Sequence, residues 1–147
     1  MKIDDINWKI LKSLQQNARQ SNTDIAKKVG ITSPAVAERI RKMEDAGIIE
    51  GYFAKISHTE TSHQLKAIIT LRAFMGRLKP FLETVKTFDE VVNCYRITGN
   101  ENIIMEVVLK NQQHLEQLID RLITYGETRT HIVLSDIVNN NPILKKV

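Results

Sequence analysis

Pro34, Glu38, Arg41 and Asp45 recur at intervals of four, three and four residues. That spacing stacks side chains on one face of a helix. A surface-lying arginine offers a two-pronged donor that fits the O6/N7 edge of guanine, a glutamate can accept from the amino group of cytosine, and an alanine methyl can meet the methyl of thymine. Ser33, Ala37, Glu38 and Arg41 are therefore the candidates for contact with base edges, and Lys42, Lys27 and Lys28 for contact with phosphates. The competing reading is that these charges only solvate an outward face. Arg39 sits nearer the apolar edge of the same helix, where a structural ion pair or a phosphate contact is favoured over base reading.

These residues need a scaffold, and the stretch from Ser21 to Gly47 supplies one. Ser21 with Asp24 three residues on is a capping signal, and Ile25, Ala26 and Val29 fall on one helical face. Gly30 suits the left-handed residue that ends a helix. Thr32 is a good N-cap for a second helix and Pro34 fits its first turn, where a missing amide hydrogen costs nothing. Val36, Ile40 and Met43 make the inward stripe and Gly47 closes the helix. Two helices joined by so tight a turn make a helix-turn-helix, whose second helix lies in the major groove of DNA. A further helix is expected over residues 4–17, from Ile6, Ile10, Leu11 and Leu14, capped by Asp4 or Asp5, with Trp8 at its edge. A module of about 45 residues buries little surface alone, so a partner subunit is the simplest source of added stability.

Composition narrows the field. The 147 residues carry a net charge of +4. Residues 1–62 hold 10 Lys/Arg against 8 Asp/Glu and residues 63–147 hold 11 against 9, so each half is +2. Within 27–42, however, five basic groups stand against Glu38 alone. Such a local positive field favours a polyanion and makes binding salt-sensitive. No apolar run is long enough to span a membrane, and the acidic, amphipathic start MKIDDINWKI lacks a signal-peptide pattern. The single Cys94 cannot form an internal disulfide, which fits a reducing cytoplasm.

The second half changes pattern. Residues 48–56, IIEGYFAKI, are strand-like but broken by Gly51, and the polar stretch 57–64 reads as a linker. KAIITLRAF is β-rich; Leu78, Phe81, Leu82 and Val85 mark a helix with Pro80 in its first turn; VVNCYRIT and IIMEVVLK are strands around the turn GNEN; Leu115, Leu118, Ile119 and Leu122 mark another helix; and HIVLSDIV is the last strand. The order βαββαβ is the split ferredoxin-like motif. The fold class is thus α+β: a three-helix, N-terminal helix-turn-helix domain (1–50), a strand-bearing linker (51–64), an αβ-sandwich (65–140) and a tail (141–147) with no assigned role. Val91, Tyr95 and Ile97 are expected on one sheet face, and Val92 and Cys94 on the other. Apolar residues on both faces suggest a second buried face, covered by another subunit's sheet.

No nucleophile elbow, phosphate loop, dinucleotide fingerprint or zinc-protease motif occurs. Cys94 has Asn93 and Tyr95 as strand neighbours, a setting for a small buried residue rather than a nucleophile. His58 and His63 stand in the linker without the partners that would complete a metal site. No metal, no cofactor and no enzyme activity is expected. The turn Thr98-Gly99-Asn100-Glu101-Asn102 is the richest polar cluster of this half; it could offer amides to a ligand carboxylate, or be only a hairpin turn.

Taken together, IDDINWKILKSLQQNARQSNTDIAKKVGITSPAVAERIRKMEDAGII, CYRITGNENIIMEV and THIVLSDI resemble the leucine-responsive/asparagine (Lrp/AsnC) regulators of bacteria and archaea. The resemblance implies a winged or plain helix-turn-helix bound to double-stranded DNA, and an effector-binding sandwich that pairs into homodimers and often octamers. It also implies a small effector, commonly an amino acid, held between dimers by Thr98 to Asn102 and by the loop before the last strand, Thr128 to Thr130. Two positions depart from the family pattern: Asn7 and Asn102 stand where aspartate is usual. Asn102 cannot supply the charge that would hold an ammonium group, which leaves Glu101 as the acidic candidate. The alternatives are a DNA-architectural protein without an effector and a metabolic sensor acting through protein partners.

Overall fold

The computed structural model describes residues 2–146, as two compact units: residues 2–55 together with 138–146, and residues 56–137.

In the first unit three helices follow one another: α1 (Asp5–Gln16), α2 (Asn22–Val29) and α3 (Ser33–Asp45). Each begins on the cap its sequence offers. Asp4, Ser21 and Thr32 accept the amides of Asn7, Asp24 and Ala35. Gly30 ends α2 at φ 77°. Past Asp45, the amide of Gly47 donates to Glu44 O at 2.9 Å and that of Ile48 to Met43 O at 2.8 Å. These are the paired bonds of a Schellman motif, with Gly47 at φ 67°. Ile10, Ile25, Val36 and Met43 are fully buried between the helices, with Ile6, Trp8, Leu14 and Ile40 packed around them.

The second unit is a four-stranded antiparallel sheet, ordered β2-β3-β1-β4, with β1 (Leu65–Ala73), β2 (Val91–Arg96), β3 (Ile103–Leu109) and β4 (Gly126–Ile132). Helix α4 (Leu78–Thr84), extended by a short 3₁₀ turn, and helix α5 (Gln112–Leu122) complete the βαββαβ order. One face of the sheet packs on the helices. Ala67, Ile69 and Leu71 of β1 meet Ile103, Met105 and Val107 of β3, with Phe81 of α4 and Leu118 and Leu122 of α5 above them.

Four expectations need correction. Residues 51–64 carry no strand; the segment runs irregularly into a turn at His58–Ser62. Ring Nδ1 of His58 there lies 2.7 Å from His63 O, so this histidine serves the turn. The last strand is 126–132 rather than 131–138, so Thr128 and Thr130 lie within β4 and not in a loop before it. The apolar run that suggested the later position ends exposed: Leu134 is 96% and Ile137 88% accessible. The faces of β2 also differ, because a register shift between Val91 and Asn93 places Val91 on the same side as Cys94, against the core, and leaves Tyr95 opposite. Ile97 follows the end of β2. Finally, the sandwich ends at 137 and not at 140, because residues 138–146 belong to the helical unit.

The outer sheet face carries cross-strand rows. Tyr95, Ile104, Thr70 and Arg129 form one row, and Asn93, Glu106, Ile68 and His131 the next. Thr70 Oγ1 is buried with no hydrogen-bond partner among the described residues.

Candidate nucleic-acid interface and ligand-binding turn

Helix α3 presents two unlike faces. Val36 and Met43 are fully buried, while Ala37, Glu38, Arg41 and Lys42 are exposed and Ser33 is half-buried at the start of the helix. Thr23 Oγ1 of α2 lies 3.5 Å from Ser33 Oγ, so the entrance of α3 is held by the preceding helix. On the outward face Arg41 is gripped from both sides. Its Nε and Nη2 donate to Glu38 at 3.1 and 2.9 Å, and its Nη1 donates to Asp45 at 2.9 Å. Lys42 Nζ approaches Glu38 at 3.5 Å. The hydrogen bonds and charge of Arg41 hold the Glu38 carboxyl below its ordinary range, and Glu38 in turn raises the Arg41 guanidinium. All these groups are exposed, and surface pairs of this kind exchange partners at little cost. Arg41 thus lies along α3 in pairs that it can leave at little cost.

Lys27 and Lys28 are exposed in the last turn of α2, and Lys28 Nζ bonds the side chain of Gln20. Arg39 is placed differently. Its Nη1 donates to Asp4 Oδ2 at 2.7 Å and to Asn7 Oδ1 at 2.8 Å, tying α3 to the start of α1. Asn7 is only 2% exposed. The departure at this position is therefore a buried polar contact between helices. Nothing in the local sequence of α1 pointed to it, since the partner lies 32 residues away.

The turn at 98–102 is stitched into the sheet by its last residue. The amide of Asn102 donates to Leu71 O at 2.9 Å, its carbonyl accepts from Ile97 at 2.9 Å, and its Oδ1 accepts from the Ala73 amide at 2.7 Å. Asn102 Oδ1 is thus committed to the end of β1. Thr98, Gly99 and Asn100 are exposed, with Gly99 at φ 116°. Glu101 reaches Arg129 of β4 at 3.4 Å, an ion pair that brings the turn and β4 together. Arg129 was not singled out by sequence; the signal was its place between Thr128 and Thr130. Those threonines pair with Leu71 and Ile69 and share their side of the sheet, so Arg129 is on the opposite side. Two shallow clefts, of about 270 and 250 Å³, are lined by residues around Lys110 and His114, and neither is lined by any residue of the 98–102 turn. Burial raises the Cys94 thiol, the reverse of what a nucleophile needs. Among the described residues no cluster could hold a metal ion, and no helix is long and apolar enough to cross a membrane.

Residues 3–50 match the model of a winged helix-turn-helix DNA-binding domain, and residues 66–143 that of the Lrp/AsnC ligand-binding domain. The chain is 34% identical over 133 residues to YezC, an HTH-type transcriptional regulator of Bacillus subtilis, covering 90% of this chain and 94% of that protein. Among solved structures, B. subtilis LrpC superposes with a TM-score of 0.90 at 25% identity, over 94% of this chain and 99% of that one. The Neisseria meningitidis regulator NMB0573, solved as a complex with L-Met, superposes at 0.92 with 23% identity, over 97% and 96%, a likeness of fold. These are regulators and not enzymes. With a capped helix-turn-helix at one end and a ligand-binding sandwich at the other, the chain belongs to the Lrp/AsnC family of DNA-binding transcriptional regulators.

Proposed function

We propose that α3 enters the major groove with Ser33, Ala37, Glu38 and Arg41 at base edges, while Lys27, Lys28 and Lys42 meet phosphates. The observation that carries this is the exposed Glu38–Arg41–Asp45 ladder on the side of α3 opposite its buried stripe. Arg39 is left out of base reading because Asp4 and Asn7 engage it. Two copies would read half-sites about one helical turn, or a multiple of it, apart. A homodimer, with octamers as a further assembly, is supported by the half-exposed Tyr95 beside Ile104 on the outer sheet face and by the exposed Phe53, Leu134 and Ile137. Large apolar side chains this accessible would leave water if a second copy covered them.

The effector we assign to this protein is an amino acid, bound where the 98–102 turn meets β4. Exposed amides around Gly99 suit its carboxylate, and Glu101 is the anionic group for its ammonium in place of the committed Asn102. The open setting of this turn in one chain fits a site completed by a second copy. The protein would act in the cytoplasm, where its DNA lies. Calorimetric titration with each of the twenty amino acids tests the effector. Heat from one or a few, abolished by Glu101→Gln, supports it; silence from all of them favours a DNA-architectural protein. A salt titration of duplex binding tests the reader. Affinity falling steeply with salt is expected, and no binding even at low salt would leave only a sensor acting through protein partners.

A further inference from the structure

Past β4 the chain stays attached to the sandwich for a few residues. The Val133 amide donates to Lys66 O at 2.9 Å, and Lys66 Nζ donates to Asp136 Oδ1 at 2.9 Å. The next residues belong to the other unit. On α1, the carboxamide of Gln15 makes both bonds to the backbone of Ile143: Oε1 accepts its amide at 2.8 Å and Nε2 donates to its carbonyl at 3.0 Å. Two residues on, Lys145 Nζ reaches Asp5 Oδ1 at 2.6 Å. A carboxamide that satisfies the amide and the carbonyl of one residue reads extended backbone much as a neighbouring strand does. Gln15 and Asp5 lie ten residues apart on α1, so the segment is held at both ends of that helix.

We propose that the outward face of α1 is a docking surface for this chain's own residues 138–146, which form an intramolecular strap. The strap gives the DNA-reading unit a second covalent tie to the ligand-binding sandwich, besides residues 51–64. Its contacts are individually weak, since the Lys145–Asp5 pair is mostly exposed. Covalent connection compensates by making the docking an intramolecular event. Contacts this weak open and close readily, which suits an element whose state ligand binding can bias. The strap's regulatory meaning rests on the reading of the two units given above; its existence does not.

The test uses the native chain. A water-soluble carbodiimide joins a carboxylate directly to an amine in contact with it, so it should link Asp5 to Lys145, and peptide mapping will find the joined pair. When ¹⁴N and ¹⁵N chains are unfolded and refolded together before coupling, both halves of the linked pair should carry the same isotope. Pairs of mixed isotope would show the partner's segment on α1 and overturn the intramolecular strap; absence of the link would overturn the docking itself. In Gln15→Ala the Ile143 amide should exchange about fivefold faster, the size of one lost hydrogen bond, and an unchanged rate would count against the proposal. Neither readout involves DNA or ligand, so failure of those activities leaves this test intact.

Discussion

Arg39, on the helix proposed to read DNA, is bonded at 2.7 Å to Asp4, the residue that caps α1. The same carboxylate accepts the Asn7 amide at 2.7 Å, and Arg39 also satisfies the Asn7 side chain. One cluster therefore caps a helix, fixes the seating of α3 and fills a buried polar position. Arg39→Ala should destabilise the helical unit, because the buried Asn7 carbonyl loses its donor at a cost of about 1–3 kcal/mol. Thermal unfolding measures it, and an unchanged midpoint would contradict the role.

The same cluster sets a pH dependence. The Asn7 amide, and then Arg39, hold the Asp4 carboxyl below its ordinary value of 3.8. The unfolded chain thus takes up the proton first. The contribution is complete above 3.8 and is lost as pH falls through the lowered folded value. Asp4→Asn should flatten the decline in stability over that acid window, read from denaturant midpoints as a function of pH.

Asn102 gives a sharper pair of variants. Its Oδ1 accepts the Ala73 amide at 2.7 Å, a bond that a carboxylate oxygen can also accept. Asn102→Asp should leave the unfolding midpoint nearly unchanged. Asn102→Ala strands a partly buried amide, costing about 1–3 kcal/mol, and should lower the midpoint by a few degrees, at roughly 2–4 °C per kcal/mol for a chain of this size. Equal effects from both would refute the assignment.

Gly126 opens β4 where no side chain fits. A Cβ there would lie 2.2 Å from Arg72 O and 2.8 Å from Ala73 Cα, both backbone atoms of β1. Gly126→Ala must push the two strands apart and should cost about 1–3 kcal/mol. Loss of amide protection in 126–132, with the helical unit unaffected, is the expected signature.

That glycine also shows where sequence reasoning lost the thread. The caps at Asp4, Ser21 and Thr32 and the breaks at Gly30 and Gly47 are local chemistry, so all three helices were legible to within a residue or two. The strands β1 and β3 were legible because their alternate residues are buried. β4 was displaced because GETRTHI is an edge strand, polar and paired on one side only, while the apolar run after it lies exposed. The faces of β2 depended on a bulge, which changes register without a mark in the apolar pattern. Of the candidate sites, the outward face of α3 followed from helical period alone. The commitments of Arg39 and Asn102, whose partners lie 35 and 29 residues away, required the fold.

Glu38 has two tasks in this account: it holds Arg41 in the free protein and accepts from a base in the complex. Glu38→Gln removes a negative charge from the duplex-facing surface while keeping an acceptor. Binding to random-sequence duplex at low salt should tighten severalfold, and discrimination at one base pair should fall, by about 1–3 kcal/mol at most. Weaker binding on every sequence would place Glu38 outside the interface.

The most direct measurement takes the duplex that the wild-type protein selects from a random library and compares its affinity for Arg41→Ala with that of variants carrying each single base-pair change. Arg41→Ala should lose about 1–3 kcal/mol on the selected duplex, a loss that disappears when one particular base pair is already altered. Wild-type affinity on every duplex would contradict the placement of α3 in the groove, and an equal loss on every sequence would contradict base reading by Arg41.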